Sequence, residues 1–193
     1  MSILPWPDHL ITLDEWEALP EDNRYWVELV EGVLHVAPRP LFLHQRAVTN
    51  LCWSLEDQLP QQFSALAEVE MVVTGNPLPT VRIPDVVVVD TELADTNPAR
   101  CKASDVSLAV EVLSDGTART DKITKFAEYA DAGIVNYWIL DLDAPVSLLR
   151  YHLIDGGYEL FGEHTGTATI ELDGHPISLD LAALVSRRPN GSA

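Results

Sequence analysis

Two acids in this chain stand where acids are costly. Asp85 lies inside the run Ile83-Pro84-Asp85-Val86-Val87-Val88-Val89, and Glu111 inside Leu108-Ala109-Val110-Glu111-Val112-Leu113. A carboxylate within a buried apolar strand is destabilising unless it is paired, hydrogen-bonded or bound to a metal. If the two strands bring both carboxylates to one sheet edge, their repulsion raises a pKa or recruits a cation. A hard divalent ion such as Mg2+ or Mn2+ relieves that repulsion, using carboxylate oxygens, a backbone carbonyl and waters. An ion held this way can make a nucleophile of its bound water and stabilise a phosphoryl oxygen. Asp85 also has a plain structural reading, because it follows Pro84 at a strand-entry or bulge position where a half-exposed acid is ordinary.

Lys125 is the third candidate. Lys122, Lys125 and Tyr129 share one stripe of a predicted helix. For Lys122 the stripe reads as a solvated face. For Lys125 it reads as a group near the acids, because the helix begins just after the Glu111 strand, and an ammonium there could orient a water or stabilise developing negative charge. Glu28 and His44 are polar groups beside apolar segments, and the plain reading of His44 is a helix N-terminal residue with a satisfied ring nitrogen. The other five histidines show no ligand spacing, and no Gly-rich phosphate loop, GxSxG elbow or HExxH motif occurs.

The elements that must position these groups are legible in the hydrophobic pattern. Residues 12–19 predict a short helix with Thr12 as N-cap and Glu15 completing a capping box. The runs 26–30 and 33–37 flank Glu31-Gly32 and predict a tight hairpin. Residues 43–59 predict a long helix, with Ala47, Val48, Leu51, Cys52, Leu55 and Leu59 on one face. Residues 65–73, 81–89 and 106–113 predict three strands, the second nearly continuous and central, with a loop over 91–104. Residues 119–132 predict a second long helix, with Ile123, Phe126, Ala127 and Ala130 inward and Gly133 as its C-terminal stop. A strand over 135–140 follows, then a meander of strands at 146–153, 157–163, 168–172 and 176–179 and a helical turn at 180–185. The expected architecture is a single α/β (α+β) domain: a mixed central sheet flanked by two long helices, with an N-terminal hairpin and a C-terminal β-meander. Residues 186–193 read as a frayed tail.

Composition sets the boundaries. Of 193 residues, 47% are hydrophobic, which argues against intrinsic disorder. No apolar run is long enough to span a membrane and the first residues lack a secretory pattern, so the expectation is a cytoplasmic protein without membrane association. Cys52 and Cys101 show neither a CxxC pair nor a histidine at ligand spacing, which points to two inert thiols. Thirty acids against twelve bases give a net charge of −18, unlike a protein that grips a phosphate backbone with a basic surface.

Taken together, the segments WVELVEG (26–32), LHQRAV (43–48), RIPDVVVVD (82–90), VEVLSDGTARTDKITKFAEYADAG (110–133) and NYWILD (136–141) resemble the Uma2 family. That family, also labelled DUF820, belongs to the PD-(D/E)xK superfamily of restriction-endonuclease-like folds. The resemblance covers roughly residues 10–180, and the helix with Asp121, Lys125, Tyr129 and Gly133 is its most telling part. It implies that Asp85 is the PD aspartate and Glu111 the (D/E)xK acid, both metal ligands, with the Val112 carbonyl as a third. The superfamily lysine position is Leu113 here, and the resemblance implies that Lys125 takes its place. Glu28 and His44 would line the site, Glu28 touching a second metal through water, with Asp121 and Tyr129 nearby. Two departures stand out: Ser114-Asp115-Gly116 where the family usually has Ser-Pro, and a thinned basic run at Thr117-Ala118-Arg119-Thr120.

The function implied is an Mg2+- or Mn2+-dependent endonuclease acting on nucleic acid, DNA before RNA, as a homodimer. The alternative is a non-catalytic interaction or structural module on a nuclease-like fold, which the acidic composition favours. The charge is uneven, however. Residues 1–57 hold ten acids and three bases, residues 141–180 eight acids and one base, and residues 100–125 four acids and five bases. The neighbourhood of the candidate site is therefore not acidic overall.

Overall fold

The computed structural model describes residues 7–19, 26–37, 40–75, 77–113 and 120–187. The segment 114–119, with the first departure from the family pattern and all of the second but Thr120, lies outside the described residues, as do residues 188–193 of the tail.

The chain opens with α1 (Leu13–Glu17), started by the expected capping box between Thr12 and Glu15. Strands β1 (Trp26–Val30) and β2 (Val33–Ala37) pair antiparallel about Glu31-Gly32. Both turn residues have positive φ, 49° and 78°, as a type I′ hairpin requires. Then come α2 (Phe42–Gln58), β3 (Phe63–Ala67), β4 (Met71–Thr74), β5 (Thr80–Arg82) and β6 (Val86–Asp90). Next are α3 (Thr91–Asp95), β7 (Cys101–Lys102) and β8 (Val106–Val112). A π-helical stretch, Thr120–Lys125, runs into α4 (Phe126–Asp131). The chain ends with β9 (Asn136–Asp141), β10 (Ser147–Ile154), β11 (Gly157–Thr165), β12 (Thr167–Leu172), β13 (His175–Asp180) and α5 (Leu181–Leu184).

These strands form a five-stranded sheet, β2-β1-β5-β4-β7, a six-stranded sheet, β11-β10-β9-β8-β6-β3, and a two-stranded ribbon, β12-β13. Pairing is antiparallel except for β8 with β9 and β4 with β7. The expected mixed α+β architecture is present. The predicted meander, however, divides: β10 and β11 extend the six-stranded sheet, while β12 and β13 form a ribbon of their own.

Two predicted strands also divide, and their breaks build the site. The run 81–89 is β5 in one sheet and β6 in the other, because Pro84 has no N–H to continue the ladder. The run 65–73 is β3 and β4, parted where Glu68 takes φ of 59°. The two crossings lie together, with the Glu68 N–H donating to the Asp85 carbonyl at 3.2 Å. Asp85 is thus a crossing residue at the start of β6. The expected loop over 91–104 instead contains α3 and β7.

The six-stranded sheet is covered on both faces. Alternate residues Val86 and Val88 of β6, with Leu108, Val110 and Val112 of β8, meet Ala47, Val48, Leu51 and Leu55 of α2 and the ribbon's Ile170, Leu172, Ile177 and Leu179. Val87, Val89 and Ala109 face the other way, with Tyr129, Ile134, Tyr137 and Ile139. Tyr137 and Trp138 are core residues, as their strand predicts. A smaller cluster of Ile11, Trp16, Leu29 and Val81 pins α1 onto the five-stranded sheet. No helix among the described residues is long and apolar enough to cross a membrane.

The second predicted helix is described from Thr120 to Asp131 and is differently phased. Its first part has the wider π turn, which shifts the faces of the residues around it. Ile123 is 61% exposed and Ala127 also faces solvent, contrary to expectation. Phe126 and Ala130 do turn inward, Phe126 against the rings of Tyr137, Tyr151 and Tyr158. Gly133 has the expected left-handed C-terminal conformation, φ 82°.

The hairpin tests the local logic. A Cβ on Gly32 would lie 3.1 Å from Leu10 Cβ and 3.2 Å from the Ile11 carbonyl, at a φ that side chains rarely adopt. Gly32→Ala should destabilise the protein by about 1–3 kcal/mol, read as a lowered urea midpoint with unchanged m-value. An unchanged midpoint would show that the hairpin is not held to the N-terminal segment.

Candidate active site

The C-terminal end of β8 gathers the candidate residues. Glu111 sits on the face of β8 that meets α4 and is 2% exposed. Burial of such a carboxylate demands partners, and it has them. The Lys125 ammonium donates to Glu111 Oε2 at 2.7 Å, and the Tyr129 hydroxyl donates to Oε1 at 2.8 Å. Lys125 and Tyr129 are one helical turn apart, so one short segment supplies both donors. Lys125 is itself only 6% exposed. Burial and the neighbouring Glu111 charge push the Tyr129 hydroxyl well above its ordinary value, so it remains a donor at physiological pH.

Asp85 reaches the same place from β6. The register pairs Val86 with Val110, which carries Asp85 to the level of Glu111. Its Oδ2 accepts from the Val112 N–H at 2.6 Å. His44, in the first turn of α2, lies 3.0 Å through Nε2 from the Val112 carbonyl and 3.4 Å from Asp85 Oδ2. The carbonyl fixes the hydrogen on Nε2, and Nδ1 is buried without a hydrogen-bond partner. Burial lowers the affinity of His44 for a second proton, but the hydrogen bond and charge of Asp85 outweigh it and raise the pKa above its ordinary 6.5. The Asp85 side chain keeps 16% of its surface open to solvent.

Glu28, from β1, is tied to Arg82 and to the backbone beside it. Its Oε2 accepts from Arg82 Nη1 at 2.8 Å and its Oε1 from the Ile83 N–H at 3.2 Å, while Lys125 Nζ is 3.7 Å from Oε1. Burial alone would raise the Glu28 pKa, but Lys125, Arg82 and the Ile83 amide outweigh it and hold it below the ordinary range. Arg82 also donates two bonds to Glu128 of α4, from Nε at 2.8 Å and Nη2 at 2.7 Å. Arg82 and Glu128 are absent from the candidates that the sequence pattern yields. A signal for Arg82 exists all the same, since an arginine two residues before Pro84 within an apolar run is as anomalous as Asp85.

The structure joins Glu111, Lys125, Tyr129 and Glu28 through side-chain contacts and ties Asp85 and His44 to the backbone of the adjoining Val112. The side chains of Asp121 and Lys122 lie outside the described residues. The two cysteines are free thiols, Cys101 buried and Cys52 partly so.

Two carboxylates and a buried lysine thus gather at the end of a central strand of a mixed-sheet α+β fold. The chain belongs to the Uma2 family, described as "Putative restriction endonuclease", whose family model matches residues 13–183. The fold is similar to that of a solved structure from Anabaena variabilis, described as "a putative nuclease belonging to DUF820", with a TM-score of 0.70 and 21% identity. The match covers 91% of this chain and 98% of that one. No curated protein sequence matches.

The depressed Glu28 pKa has a consequence for stability. A carboxyl with a lowered native pKa contributes stability that is complete above the unfolded value near 4.5 and is lost as pH falls through the native value. The stability difference between the wild type and Glu28→Gln should therefore be constant around neutrality and shrink on acidification below that value. Denaturant titrations of both proteins between neutrality and about pH 3 check the sign. A difference that grows on acidification would contradict the assignment.

Proposed function

We propose that this protein is a divalent-metal-dependent endonuclease that hydrolyses phosphodiester bonds, with DNA as substrate. Asp85 and Glu111 would hold the ion, and Lys125 would be the catalytic lysine. The observation that carries this reading is the Lys125–Glu111 contact beside Asp85 at the end of β8. The family description and the nuclease-like structural neighbour support the same reaction class.

The residues present fit a divalent cation. Glu28, Asp85, Glu111 and Glu128 supply four carboxylates, against the fixed positive charges of Arg82 and Lys125. The carboxylates outnumber these two fixed cations, and Mg2+ or Mn2+ would relieve the excess. The oxygens of Asp85 and Glu111 and the Val112 carbonyl are hard donors of the kind these ions take. Among the described residues, no group of three or more His, Cys, Asp and Glu side chains forms a ready-made cage. The Val112 carbonyl and waters would therefore complete the set. When bound, the ion would supply Lewis-acid stabilisation of a phosphoryl oxygen and a water of lowered pKa.

The chain's own residues do the rest. Tyr129 and Lys125 fix both oxygens of Glu111, so its orientation is set before substrate arrives. The Val112 N–H fixes Asp85, and the His44 Nε2–H holds the Val112 carbonyl in place while leaving its second lone pair open. The Lys125 ammonium, sheltered from solvent, would stabilise negative charge developing on the phosphoryl oxygens more strongly than an exposed lysine could. A cut through both strands of a duplex needs two such sites, which a homodimer would supply.

Asp85→Asn and Glu111→Gln should each lower Mg2+- or Mn2+-dependent DNA cleavage by at least about 100-fold, with an unchanged far-UV circular dichroism spectrum. The reading fails if the purified wild type cuts no nucleic acid with either ion and calorimetry detects no binding of the ion. Binding of a protein partner that survives both substitutions would then favour the non-catalytic module.

A further inference from the structure

Arg82 is the most deeply buried cation among the described residues, at 2% exposure. Its guanidinium fork is divided between two carboxylates from different elements: one bond to Glu28 of β1 and two to Glu128 of α4. Only arginine has the donor geometry for this, since a lysine is a single point of charge. Burial opposes the charge on Arg82, but Glu128 and Glu28 outweigh it and strengthen its hold on its proton.

The consequence falls on Lys125. Its ammonium lies between two buried carboxylates, 2.7 Å from Glu111 and 3.7 Å from Glu28. Which of the two it sits on depends on how much negative charge each one presents. Arg82 already neutralises Glu28, and the Ile83 amide takes the other Glu28 oxygen. With Glu28 satisfied, Glu111 is the stronger partner. Arg82 also grips Glu128, one residue before Tyr129, so the same side chain fixes the helical turn that carries both donors to Glu111.

We propose that Arg82 is a positioning residue that sets the Lys125 ammonium on Glu111 by saturating Glu28 and tethering α4 through Glu128. This rests on the nuclease reading above for its catalytic consequence, but its structural consequence stands without it. Arg82 has no contact with substrate in this scheme. It acts through the choice that Lys125 makes between two carboxylates.

The test uses two variants. In Arg82→Met/Glu128→Gln the guanidinium is gone, its α4 partner is neutral and Glu28 is left charged. Adding Glu28→Gln leaves Arg82 and both of its partners replaced by neutral groups, and neutral replacements of a buried ion network are commonly tolerated by the fold. In a crystal structure of the double variant, Lys125 should have left Glu111 for Glu28. In the triple variant it should be back on Glu111. With plasmid DNA and Mn2+, kcat of the double variant should fall roughly 100-fold, as for a misplaced catalytic group, with KM little changed. The triple variant should recover at least about tenfold of that loss. A role confined to stability would instead show in the melting temperature alone, with the folded fraction of both variants fully active. The proposal is overturned if Lys125 stays on Glu111 in the double variant, or if the triple variant cleaves no better than the double. If the wild type itself cuts nothing, the nuclease reading fails and the two crystal structures still decide the place of Lys125.

Discussion

A buried carboxylate on a central strand is the constraint from which the rest of this structure follows. Glu111 cannot remain charged at 2% exposure without a cation and a further donor. Lys125 and Tyr129 provide them, but each is buried in turn and must itself be placed. An ammonium between Glu111 and Glu28 needs a second cation to settle the balance, and Arg82 is that cation. Arg82 then needs two acids, which are Glu28 and Glu128. Each partner brought in to satisfy one charge introduces another, so the network closes only when elements from both sheets and α4 have contributed. Removing one member leaves an uncompensated charge, which costs more than the pair contributes. That asymmetry explains why β1, β5, β8 and α4, distant in sequence, are held in one arrangement.

The crossings between the sheets make this closure possible. Pro84 ends β5 and prevents the ladder from continuing, so the chain turns from the five-stranded sheet into the six-stranded one. Arg82 stays on the first side of the turn and Asp85 emerges on the second. Two residues of one short run thus serve different parts of the network. The neighbouring crossing at Glu68 backs the turn with a hydrogen bond to the Asp85 carbonyl. Backbone groups released from a ladder must find partners elsewhere, and here the released geometry places a carboxylate opposite the end of β8.

Much of this is legible in the sequence because the strongest signal is a violation. Acids within apolar runs mark Asp85 and Glu111, and a capping box, a Glu-Gly turn and a helical stripe mark α1, the first hairpin and α2. What escapes has a common cause. Apolar periodicity records burial and says nothing about which sheet a strand joins, so 81–89 and 65–73 each read as one strand when they are two. The same limit hides the division of the last four strands between a sheet and a ribbon. The π-helical turn defeats the inward face expected for Ile123 and Ala127, because a phase drawn at 3.6 residues per turn fails when one turn is wider. Arg82 escapes because a basic residue is expected on a surface, where phosphate contacts would be, and not in the interior.

The net charge of −18 takes on a narrower meaning once the interior is known. Arg82 is committed to carboxylates inside the protein, so one of the twelve bases contributes nothing to a phosphate-facing surface. Surface charges beyond a Debye length of about 8 Å are screened at physiological salt, so the acidic segments 1–57 and 141–180 act on a polyanion mainly where they approach it closely. An acidic exterior of this kind weakens non-specific attraction to nucleic acid, which depends on neutralising phosphates. On the proposed reading, affinity would then have to be generated at the site, by the ion that answers its excess of carboxylates and by the lysine beside it. The acidity and the candidate site are therefore compatible: one suppresses indiscriminate binding, and the other concentrates the remaining attraction at the place where a phosphodiester would react.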